Sequence, residues 1–526
     1  MDSTSFDLVI RNGRVLDGTG NPWHYADVGV KGDTITRIGR IKGKAETMID
    51  ASGHIVAPGF IDIHSHSDFP ILIDPMAQSK IRQGVTTEII GQCGNSAAPM
   101  YKAVREYREV YYSSRVPEGF DYDWTTMKSY LDRLDKQGAA LNIAPVVGHG
   151  TVRQNVMGFE NREPTAAELD AMRKHVREAM EDGAWGMSTG LIYPPSVYGK
   201  QPEITELAKV VAEYNGVYFS HIRGEGETLL DAVTEACEIG RDSGNPVQIA
   251  HFKASGKPNW GKTRESLALV EKYRKMGVEV TFDQYPYIAS STNLTALLPH
   301  WSQEGGGEKL LEYLKDPATR ERLSKELRLS YEWTQVLVAN AKNNQQYNGK
   351  NLQEVADMMK KKPIDALFDL LIMENLQVPS VMFGMNEEDV QRVMRSPYGM
   401  VGSDGSAIAP TGIWAKDVPH PRLYGTFPRV IGHYARDEGV LPLQEAVRKM
   451  TGAPAQKVGF KDRGFLREDY KADITVFNPD TVVDIATFTD PQRYPAGIPY
   501  VIVNGTIVVS EGEHTGELPG RALRKR

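Results

Sequence analysis

Two histidines, His64 and His66, are separated by a single serine and follow a short, mostly apolar run at 60–63. In an extended strand, residues two apart point to the same face, so both imidazoles would face one space. Imidazole nitrogens are common protein ligands of zinc and similar divalent ions. A histidine pair of this kind also occurs as ordinary sheet polarity, so its interpretation depends on the residues that accompany it.

Four further residues of metal-ligand type each end a later apolar run: Cys93, His221, His251 and Asp404. Each has an ordinary explanation. A lone histidine is most often a hydrogen-bonded structural residue, a cysteine can be a small buried hydrophobe, and Ser-Asp-Gly is common in turns. Six such residues at matching strand ends nevertheless predict one site for zinc or a similar divalent ion.

Two other residues of ligand type are interpreted differently. Cys237 lies in a helical pattern at 229–237 and is expected in the hydrophobic core. His149 follows a strand-like run that ends at Val147, so it could line the site, although we expect a structural role more often than metal ligation.

The elements that must position these residues alternate between strand-like and helix-like runs, which is typical of βαβ units. One predicted helix covers 165–182, with Thr165 as its N-cap. Eight buried-strand candidates end near His66, Gly91, Val147, Ser188, His221, His251, Tyr285 and Asp404. Eight is the number that a (β/α)₈ barrel of the TIM type requires, and the carboxyl ends of barrel strands hold the catalytic groups. The predicted fold class is therefore α/β.

Both chain ends have a different, all-β character, with hairpin signals at Asn12-Gly13 and Asn504-Gly505. We predict one small β-sandwich domain from residues 1–57 and 455–526. It encloses a barrel at 58–454. The long gap before the last barrel strand predicts an insertion at 288–397 on the active-site face, where it could act as a lid.

Composition limits the other possibilities. The chain has 526 residues, 61 basic and 68 acidic side chains and a net charge of -7, which gives no reason to expect a nucleic-acid partner. Two cysteines cannot form a disulfide framework. No apolar run approaches the roughly 18–20 residues that a membrane span needs. We expect a cytoplasmic protein with a small-molecule partner, no membrane association and a basic C-terminal tail in solvent.

Several motifs together resemble a known family. Pro58-Gly59-Phe60-Ile61-Asp62 followed by the histidine pair, and the late Ser403-Asp404-Gly405, resemble the amidohydrolase superfamily. The motifs Gly91-Gln92-Cys93-Gly94, His221-Ile222-Arg223-Gly224-Glu225, His251-Phe252-Lys253 and His420-Pro421-Arg422 resemble the D-aminoacylase (N-acyl-D-amino-acid deacylase) family. The resemblance runs from about Asp7 to Gly505. The predicted fourth strand, 184–188, lacks the lysine that hydantoinases and dihydroorotases carboxylate, whereas Cys93 is present.

The resemblance implies how the metal is held. Cys93, His221 and His251 would bind the tighter zinc, and His64 and His66 would share a second, weaker site with Cys93 and Asp404. A thiolate and two imidazoles leave one position open for water, whose pKa zinc lowers toward about 7. Asp404 would accept the proton during attack on the amide and return it to the departing amine.

The resemblance also implies substrate contacts. Lys253, Tyr285, Ser291 and Arg422 would hold the α-carboxylate. Ile192, Tyr193, Met382 and Met385 would surround the substrate side chain. Since these four pocket residues are apolar or aromatic, they predict that the substrate side chain is neutral and hydrophobic.

We therefore predict a zinc-dependent hydrolase that converts an N-acyl-D-amino acid into a carboxylate and a D-amino acid. The D configuration rests on the family alone. Hydrolysis of a D-dipeptide or of a cyclic amide such as a hydantoin is an alternative, and so is a non-catalytic barrel scaffold. Such a scaffold would be expected to lose metal ligands, which this chain keeps. A monomer or a small homo-oligomer is expected.

Overall fold

A computed structural model describes residues 5–112, 115–327 and 330–526 of the protein. The strands are β1 (Phe6–Val15), β2 (His24–Lys31), β3 (Thr34–Gly39), β4 (Ala45–Asp50), β5 (Ile55–Pro58), β6 (Phe60–Asp62), β7 (Val85–Ile90), β8 (Asn142–Pro145), β9 (Val147–Gly148), β10 (Gly186–Gly190), β11 (Val217–His221), β12 (Val247–Ile249), β13 (Val280–Gln284), β14 (Ser290–Asn293), β15 (Val336–Val338), β16 (Pro379–Met382), β17 (Gly399–Val401), β18 (Ile474–Phe477), β19 (Tyr500–Val503), β20 (Thr506–Ser510) and β21 (Glu513–His514). The α-helices are α1 (Pro70–Ile73), α2 (Gln78–Ile81), α3 (Lys102–Tyr111), α4 (Met127–Gln137), α5 (His149–Met157), α6 (Ala166–Glu181), α7 (Gln201–Glu213), α8 (Leu229–Ser243), α9 (Thr263–Lys275), α10 (Gly306–Lys315), α11 (Pro317–Glu326), α12 (Leu352–Met359), α13 (Pro363–Met373), α14 (Glu387–Arg395), α15 (Arg422–Arg429), α16 (Leu443–Met450) and α17 (Gly452–Val458), and a π-helix covers Val430–Asp437.

Eight parallel strands form the barrel. Strands β9, β10, β11, β12, β13 and β17 are hydrogen-bonded in that order, and β6, β7 and β8 form a second run. Val146 lies between β8 and β9 and donates its N–H to the Ile90 carbonyl at 2.9 Å, so β8 and β9 act as one strand. A parallel bridge between Ser65 and Gly405 joins the end of β6 to the end of β17. The predicted eight-stranded barrel is confirmed.

The barrel helices follow their sequence patterns. The predicted helix at 165–182 is α6, whose N-cap Thr165 forms a reciprocal capping box with Glu168. Met172, Val176 and Met180 of α6 are buried, because they recur at three- and four-residue steps and share the face that packs inward. Among the described residues, no helix has the length and apolarity needed to cross a bilayer.

Strands from both chain ends form one nine-stranded sheet, in the order β21-β20-β19-β18-β5-β1-β2-β3 with β4 beside β1. The two ends meet where β5 pairs with β18 antiparallel, for example Val56 with Val476. This pairing supports our proposal that residues 1–57 and 455–526 form one domain, although α17 (Gly452–Val458) spans the proposed limit.

The insertion between β13 and β17 has its own core. Strands β14, β16 and β15 form a small antiparallel sheet. Helices α10 to α13 cover it with buried side chains that include Leu310, Leu314, Leu367 and Phe368. The insertion is thus a folded unit that contributes residues to the mouth of the barrel.

The basic C-terminus is not a solvated tail, contrary to expectation. Leu523 donates its N–H to the Ile143 carbonyl at 2.7 Å, and the Ile143 N–H bonds the Arg521 carbonyl at 3.0 Å. Trp185 donates its indole N–H to the Leu523 carbonyl at 2.8 Å. The segment satisfies backbone groups beside β8 and β10, which explains why it is ordered against the protein.

Candidate active site

The six candidate ligands lie at the carboxyl ends of five barrel strands. His64 and His66 follow β6, Cys93 follows β7, His221 ends β11, His251 follows β12 and Asp404 follows β17. Since parallel barrel strands converge at this face, their last side chains meet above the barrel core. The structure brings all six together in two overlapping groups.

The first group is Cys93, His221 and His251, whose ligand atoms all lie within 4.8 Å of one another. His251 Nε2 is 2.8 Å from His221 Nδ1 and 3.7 Å from the Cys93 sulfur. His221 Nε2 is buried, and no described residue forms a hydrogen bond with it. Three soft or borderline donors facing one point are the set that zinc prefers.

The second group is His64, His66, Cys93 and Asp404, also within 4.8 Å. His66 Nε2 lies 3.0 Å from Asp404 Oδ1, and His64 Nε2 lies 3.4 Å from both that oxygen and the Cys93 sulfur. Cys93 belongs to both groups, so one thiolate can face two neighbouring metal positions.

Electrostatics favour the ligand forms of Cys93 and Asp404. Burial raises the pKa of the Cys93 thiol, but the imidazoles around it, His64 foremost, outweigh burial and hold that pKa well below its ordinary value. Burial also raises the pKa of Asp404, and the Arg422 guanidinium and His64 more than compensate, so it too lies well below its usual range. A thiolate, a carboxylate and buried imidazoles fit a divalent metal.

Two carboxylates, the buried Asp283 and the half-buried Glu225, contact the Nδ1 atoms of two of the imidazoles. Asp283 Oδ1 lies 3.0 Å from His64 Nδ1, and Glu225 Oε1 lies 2.8 Å from His251 Nδ1. Gln248 donates to the other oxygen of Asp283 at 2.9 Å. Both contacts leave Nε2 of the imidazole facing the centre, as outer carboxylates do in metal sites. Neither acid is among the site residues predicted from the sequence, although Asp283 lies near a strand end and Glu225 lies four residues beyond His221.

Three candidate ligands have unusual backbone conformations. Cys93, His251 and Asp404 have φ values of 54°, 34° and 48°, in the left-handed region. Non-glycine residues reach this region at a cost and concentrate at functional sites. At each position the chain turns as it leaves its strand, which directs the side chain over the barrel.

The four residues predicted to hold the α-carboxylate lie beside the ligands. Arg422 Nη1 is 2.8 Å from Asp404 Oδ2, and Arg422 Nη2 donates to the Ser291 carbonyl at 3.2 Å. The Arg422 guanidinium lies over the Tyr285 ring, 4.7 Å from its centre. The Tyr285 hydroxyl is buried and has no hydrogen-bond partner in the described part of the chain, and Lys253 Nζ is 2.9 Å from His251 Nδ1.

The predicted side-chain pocket is only partly assembled. The Tyr193 ring lies edge-on to His221 at 5.0 Å, and its hydroxyl is 3.0 Å from Thr292 Oγ1. Ile192, Met382 and Met385 do not line the main cavity. Alternate residues of a strand face opposite sides, and Met382 of β16 faces the core of the insertion. Met385 packs against Tyr285 and Tyr287 instead.

The main cavity has a volume of about 520 Å³. Its inner end is lined by His66, Cys93, Asp404, Arg422 and Tyr193. Residues of the insertion and of α3 form its outer walls. A substrate of modest size can therefore reach the candidate ligands from the side of the insertion.

His149 and Cys237 lie outside the ligand groups. His149 is buried between Ser196 Oγ at 2.7 Å from Nδ1 and Glu203 Oε1 at 2.9 Å from Nε2, which is a structural network. Cys237 is buried in α8, and burial raises its pKa to about 12, so it stays a neutral thiol. The pKa of Cys93 is lowered by the imidazoles around it, whereas Cys237 has no such neighbours among the causes of its pKa shift.

Known proteins are similar to this chain in sequence and in fold. The sequence pattern of the amidohydrolase family matches residues 47–509. A D-aminoacylase of Alcaligenes xylosoxydans xylosoxydans is 39% identical over 525 residues, covering 100% of this chain and 99% of that protein. An N-acyl-D-glutamate deacylase of the same organism is 35% identical over 520 residues, covering 99% of this chain and 96% of that protein.

A solved structure is similar as well. The N-acyl-D-glutamate deacylase of Bordetella bronchiseptica, in complex with zinc and a phosphonate that mimics the tetrahedral intermediate, is 34% identical with a TM-score of 0.85, over 99% of this chain and 100% of that one. The match spans the barrel, the terminal sheet and the insertion. The chain belongs to the amidohydrolase family, in the group that contains the D-aminoacylases and N-acyl-D-glutamate deacylases.

Proposed function

We propose that this protein is a zinc-dependent hydrolase of N-acyl-D-amino acids. The observation that carries the proposal is the pair of ligand groups joined through Cys93, with the Arg422–Asp404 ion pair beside them. A cluster of this kind supplies metal chemistry, and the arginine supplies recognition of a carboxylate. Relatives that act on N-acyl-D-amino acids are similar over the whole chain.

The two groups define which residues would hold metal. Cys93, His221 and His251 would hold the tighter zinc, and His64, His66, Cys93 and Asp404 a second, weaker one. Zinc bound there supplies an activated water and polarises the amide carbonyl. Asp283 and Glu225, which contact Nδ1 of His64 and Nδ1 of His251, would keep Nε2 of these two imidazoles directed toward the metal positions.

Asp404 is the proposed general base and acid. Its Oδ1 faces His64 and His66 while Oδ2 is held by Arg422. Ionised, it can accept the proton of the attacking water and return it to the departing amine. Burial at this position excludes bulk water, which strengthens these interactions.

The substrate would be oriented by residues that bind its α-carboxylate. We propose that Arg422, Lys253, Tyr285 and Ser291 hold the α-carboxylate. The unpartnered hydroxyl of Tyr285 supports this role, since a buried hydroxyl without a partner is costly and a substrate oxygen would satisfy it.

The substrate's amino-acid side chain would be chosen by the residues that line the cavity. We propose a neutral, hydrophobic side chain, supported by Tyr193, which lines the cavity, whereas Ile192, Met382 and Met385 do not line it. An acidic side chain is the competing case, because N-acyl-D-glutamate deacylases are among the relatives. Rates for N-acetyl-D-leucine, N-acetyl-D-phenylalanine, N-acetyl-D-glutamate and N-acetyl-D-aspartate separate the two.

The deciding experiment measures free amine released from matched N-acetyl-D- and N-acetyl-L-amino acids by zinc-loaded protein. Release from the D substrates alone, lost in Asp404→Asn, is the expected result. No release from either enantiomer would contradict the proposal and leave D-dipeptides, cyclic amides or a scaffold role. A cytoplasmic location and a monomer or small homo-oligomer remain part of the same proposal.

A further inference from the structure

One wall of the cavity is built by residues that follow β6 and β7. Phe69 follows β6, Asn95 follows β7, Arg108 and Tyr112 belong to α3 and its end, and Tyr122 lies in the segment before α4. All five line the main cavity. We call this group the α3 wall.

Arg108 is the only one of the five with a full charge, and it is 3% exposed. Its Nη2 donates to Asn95 Oδ1 at 2.6 Å and to the Ser96 carbonyl at 2.9 Å. Its Nε and Nη1 are buried and have no hydrogen-bond partner among the residues that the structure describes. These two nitrogens carry three N–H groups, and leaving such groups on a buried cation without acceptors is costly, so they favour an acceptor that enters the cavity.

No carboxylate compensates the Arg108 charge at ion-pair distance within the part of the chain that the structure describes. Asp68 is a neighbouring acid. Its two oxygens already accept the N–H groups of Gly91 and Ala97, each at 3.2 Å. The guanidinium instead lies over the rings of Phe69, at 4.8 Å, and Tyr112, at 5.4 Å.

The α3 wall lies across the barrel mouth from the proposed carboxylate-binding residues. Four of the five wall residues follow β7, and Lys253 follows β12, which lies four strands away and so opposite β7 in the eight-stranded barrel. Arg422 follows β17, which adjoins β6, but its guanidinium lies over the ring of Tyr285, which follows β13. In an N-acyl amino acid, the α-carboxylate and the acyl chain lie on opposite sides of the scissile amide. With the carboxylate at Arg422 and the carbonyl at the ligand cluster, the acyl chain points toward Arg108.

We infer that the α3 wall is the acyl-group subsite and that Arg108 selects acyl chains ending in a carboxylate, such as succinyl. The carboxylate would pair with the open N–H groups of the guanidinium, and the rings of Phe69 and Tyr112 would flank the methylene groups. Hydrolysis then adds one water across the amide and yields a dicarboxylate and a D-amino acid. The inference rests on the proposed function.

The test compares two acyl groups of equal length on one D-amino acid. N-succinyl-D-leucine carries the carboxylate, N-succinamoyl-D-leucine is its neutral isostere, and N-acetyl-D-leucine reports basal activity. We expect zinc-loaded wild-type protein to prefer the succinyl over the succinamoyl substrate by about 10-fold to 100-fold in kcat/KM, as charged hydrogen bonds produce. Arg108→Met should abolish this preference and Arg108→Lys should keep part of it.

Arg105→Met is the matched control. Arg105 is on the same helix but donates to the Trp124 carbonyl at 2.8 Å, and it does not line the cavity. It should keep the wild-type preference. The melting temperature and the rate with N-acetyl-D-leucine show whether each variant is folded. If Arg108→Met does not fold, the test rests on the ratio of kcat/KM for the succinyl and succinamoyl substrates in wild-type protein and in Arg108→Lys.

Equal rates for the succinyl and succinamoyl substrates in wild-type protein would overturn the inference, and so would a preference that survives in Arg108→Met. Hydrolysis of N-acetyl-D-leucine in the same experiment would then leave the proposed function intact. Failure to hydrolyse any of the three substrates would overturn both.

Discussion

Arg422 and Asp404 form an ion pair at the mouth of the barrel, with Arg422 Nη1 2.8 Å from Asp404 Oδ2. The other oxygen of Asp404 faces His66 at 3.0 Å. One carboxylate thus connects the candidate metal ligands to the residue proposed to bind substrate. A substrate carboxylate that reaches Arg422 must share the guanidinium with Asp404, which places the scissile amide next to the proposed base.

Arg422→Lys should weaken substrate binding. Lysine keeps the charge but loses the planar fork that can contact two carboxylates at once. We expect kcat/KM to fall about tenfold or more, measured with N-acetyl-D-amino acids on zinc-loaded protein. Arg429→Lys is the matched control, because Arg429 lies on the same helix and pairs with Asp484 at 3.1 Å. Unchanged kinetics in Arg422→Lys would contradict the assigned role.

Cys93→Ala should lower zinc content more than loss of any single histidine, because Cys93 belongs to both ligand groups. His66→Ala should lose only the second metal. Zinc per chain, measured by elemental analysis after dialysis, reports both. Cys237→Ala removes the other thiol, which is buried in α8, and should leave zinc content unchanged. Equal zinc in Cys93→Ala and wild type would rule out the shared thiolate.

Asp283→Asn should weaken metal binding although Asp283 is not a candidate ligand. Its carboxylate accepts a hydrogen bond from Gln248 and lies 3.0 Å from His64 Nδ1. Loss of such an outer carboxylate costs about 10-fold to 100-fold in metal affinity, measurable by competition with a chelator. Asp389→Asn, another buried carboxylate that accepts the Gly261 N–H at 2.8 Å, should have wild-type affinity.

Asp417 should make the protein less stable at higher pH. Burial raises the pKa of Asp417 from 3.8 to about 7. The folded state therefore binds this proton more tightly than the unfolded chain does. The stability that the bound proton contributes is complete below pH 3.8 and is lost as the pH rises to about 7. Asp417→Asn should remove this cost and raise the melting temperature at pH 8 relative to wild type, with no such gain at pH 4. An identical difference at both pH values would be inconsistent with this titration.

Removal of residues 521–526 should destabilise the fold without altering the chemistry. It leaves the Trp185 indole N–H and the Ile143 N–H without the Leu523 and Arg521 carbonyls. At about 1 kcal/mol for each hydrogen bond, the free energy of unfolding should fall by on the order of 2 kcal/mol or more. Denaturant unfolding of the two forms measures this. A truncated protein of full stability would show that these contacts contribute little.

The candidate ligands could be identified from sequence because each ends an apolar run. Predicted strand ends near His66, His221 and Asp404 lie within four residues of the observed ends of β6, β11 and β17. The pattern of apolar residues in a short segment predicts a strand and where it ends. In a barrel, the carboxyl ends of all the strands then lie on one face. The insertion was predicted in the same way, from the length of the gap before β17.

Other features depended on contacts between distant parts of the chain. Asp283 and His64 are 219 residues apart, so no local pattern connects them. The orientation of Met382 followed from which side of β16 the helices of the insertion cover. Strand alternation predicts two faces but does not specify which one is buried.

The amino-acid sequence by itself thus determined the barrel, the terminal β-structure and the six candidate ligands, because short-range patterns specify strands and their ends. The tertiary structure alone decided the partners of those ligands, the shared position of Cys93, the docking of residues 521–525, and the burial of Arg108 with two guanidinium nitrogens that lack a partner among the described residues. These depend on long-range packing, in which side chains far apart in sequence compete for the same buried space.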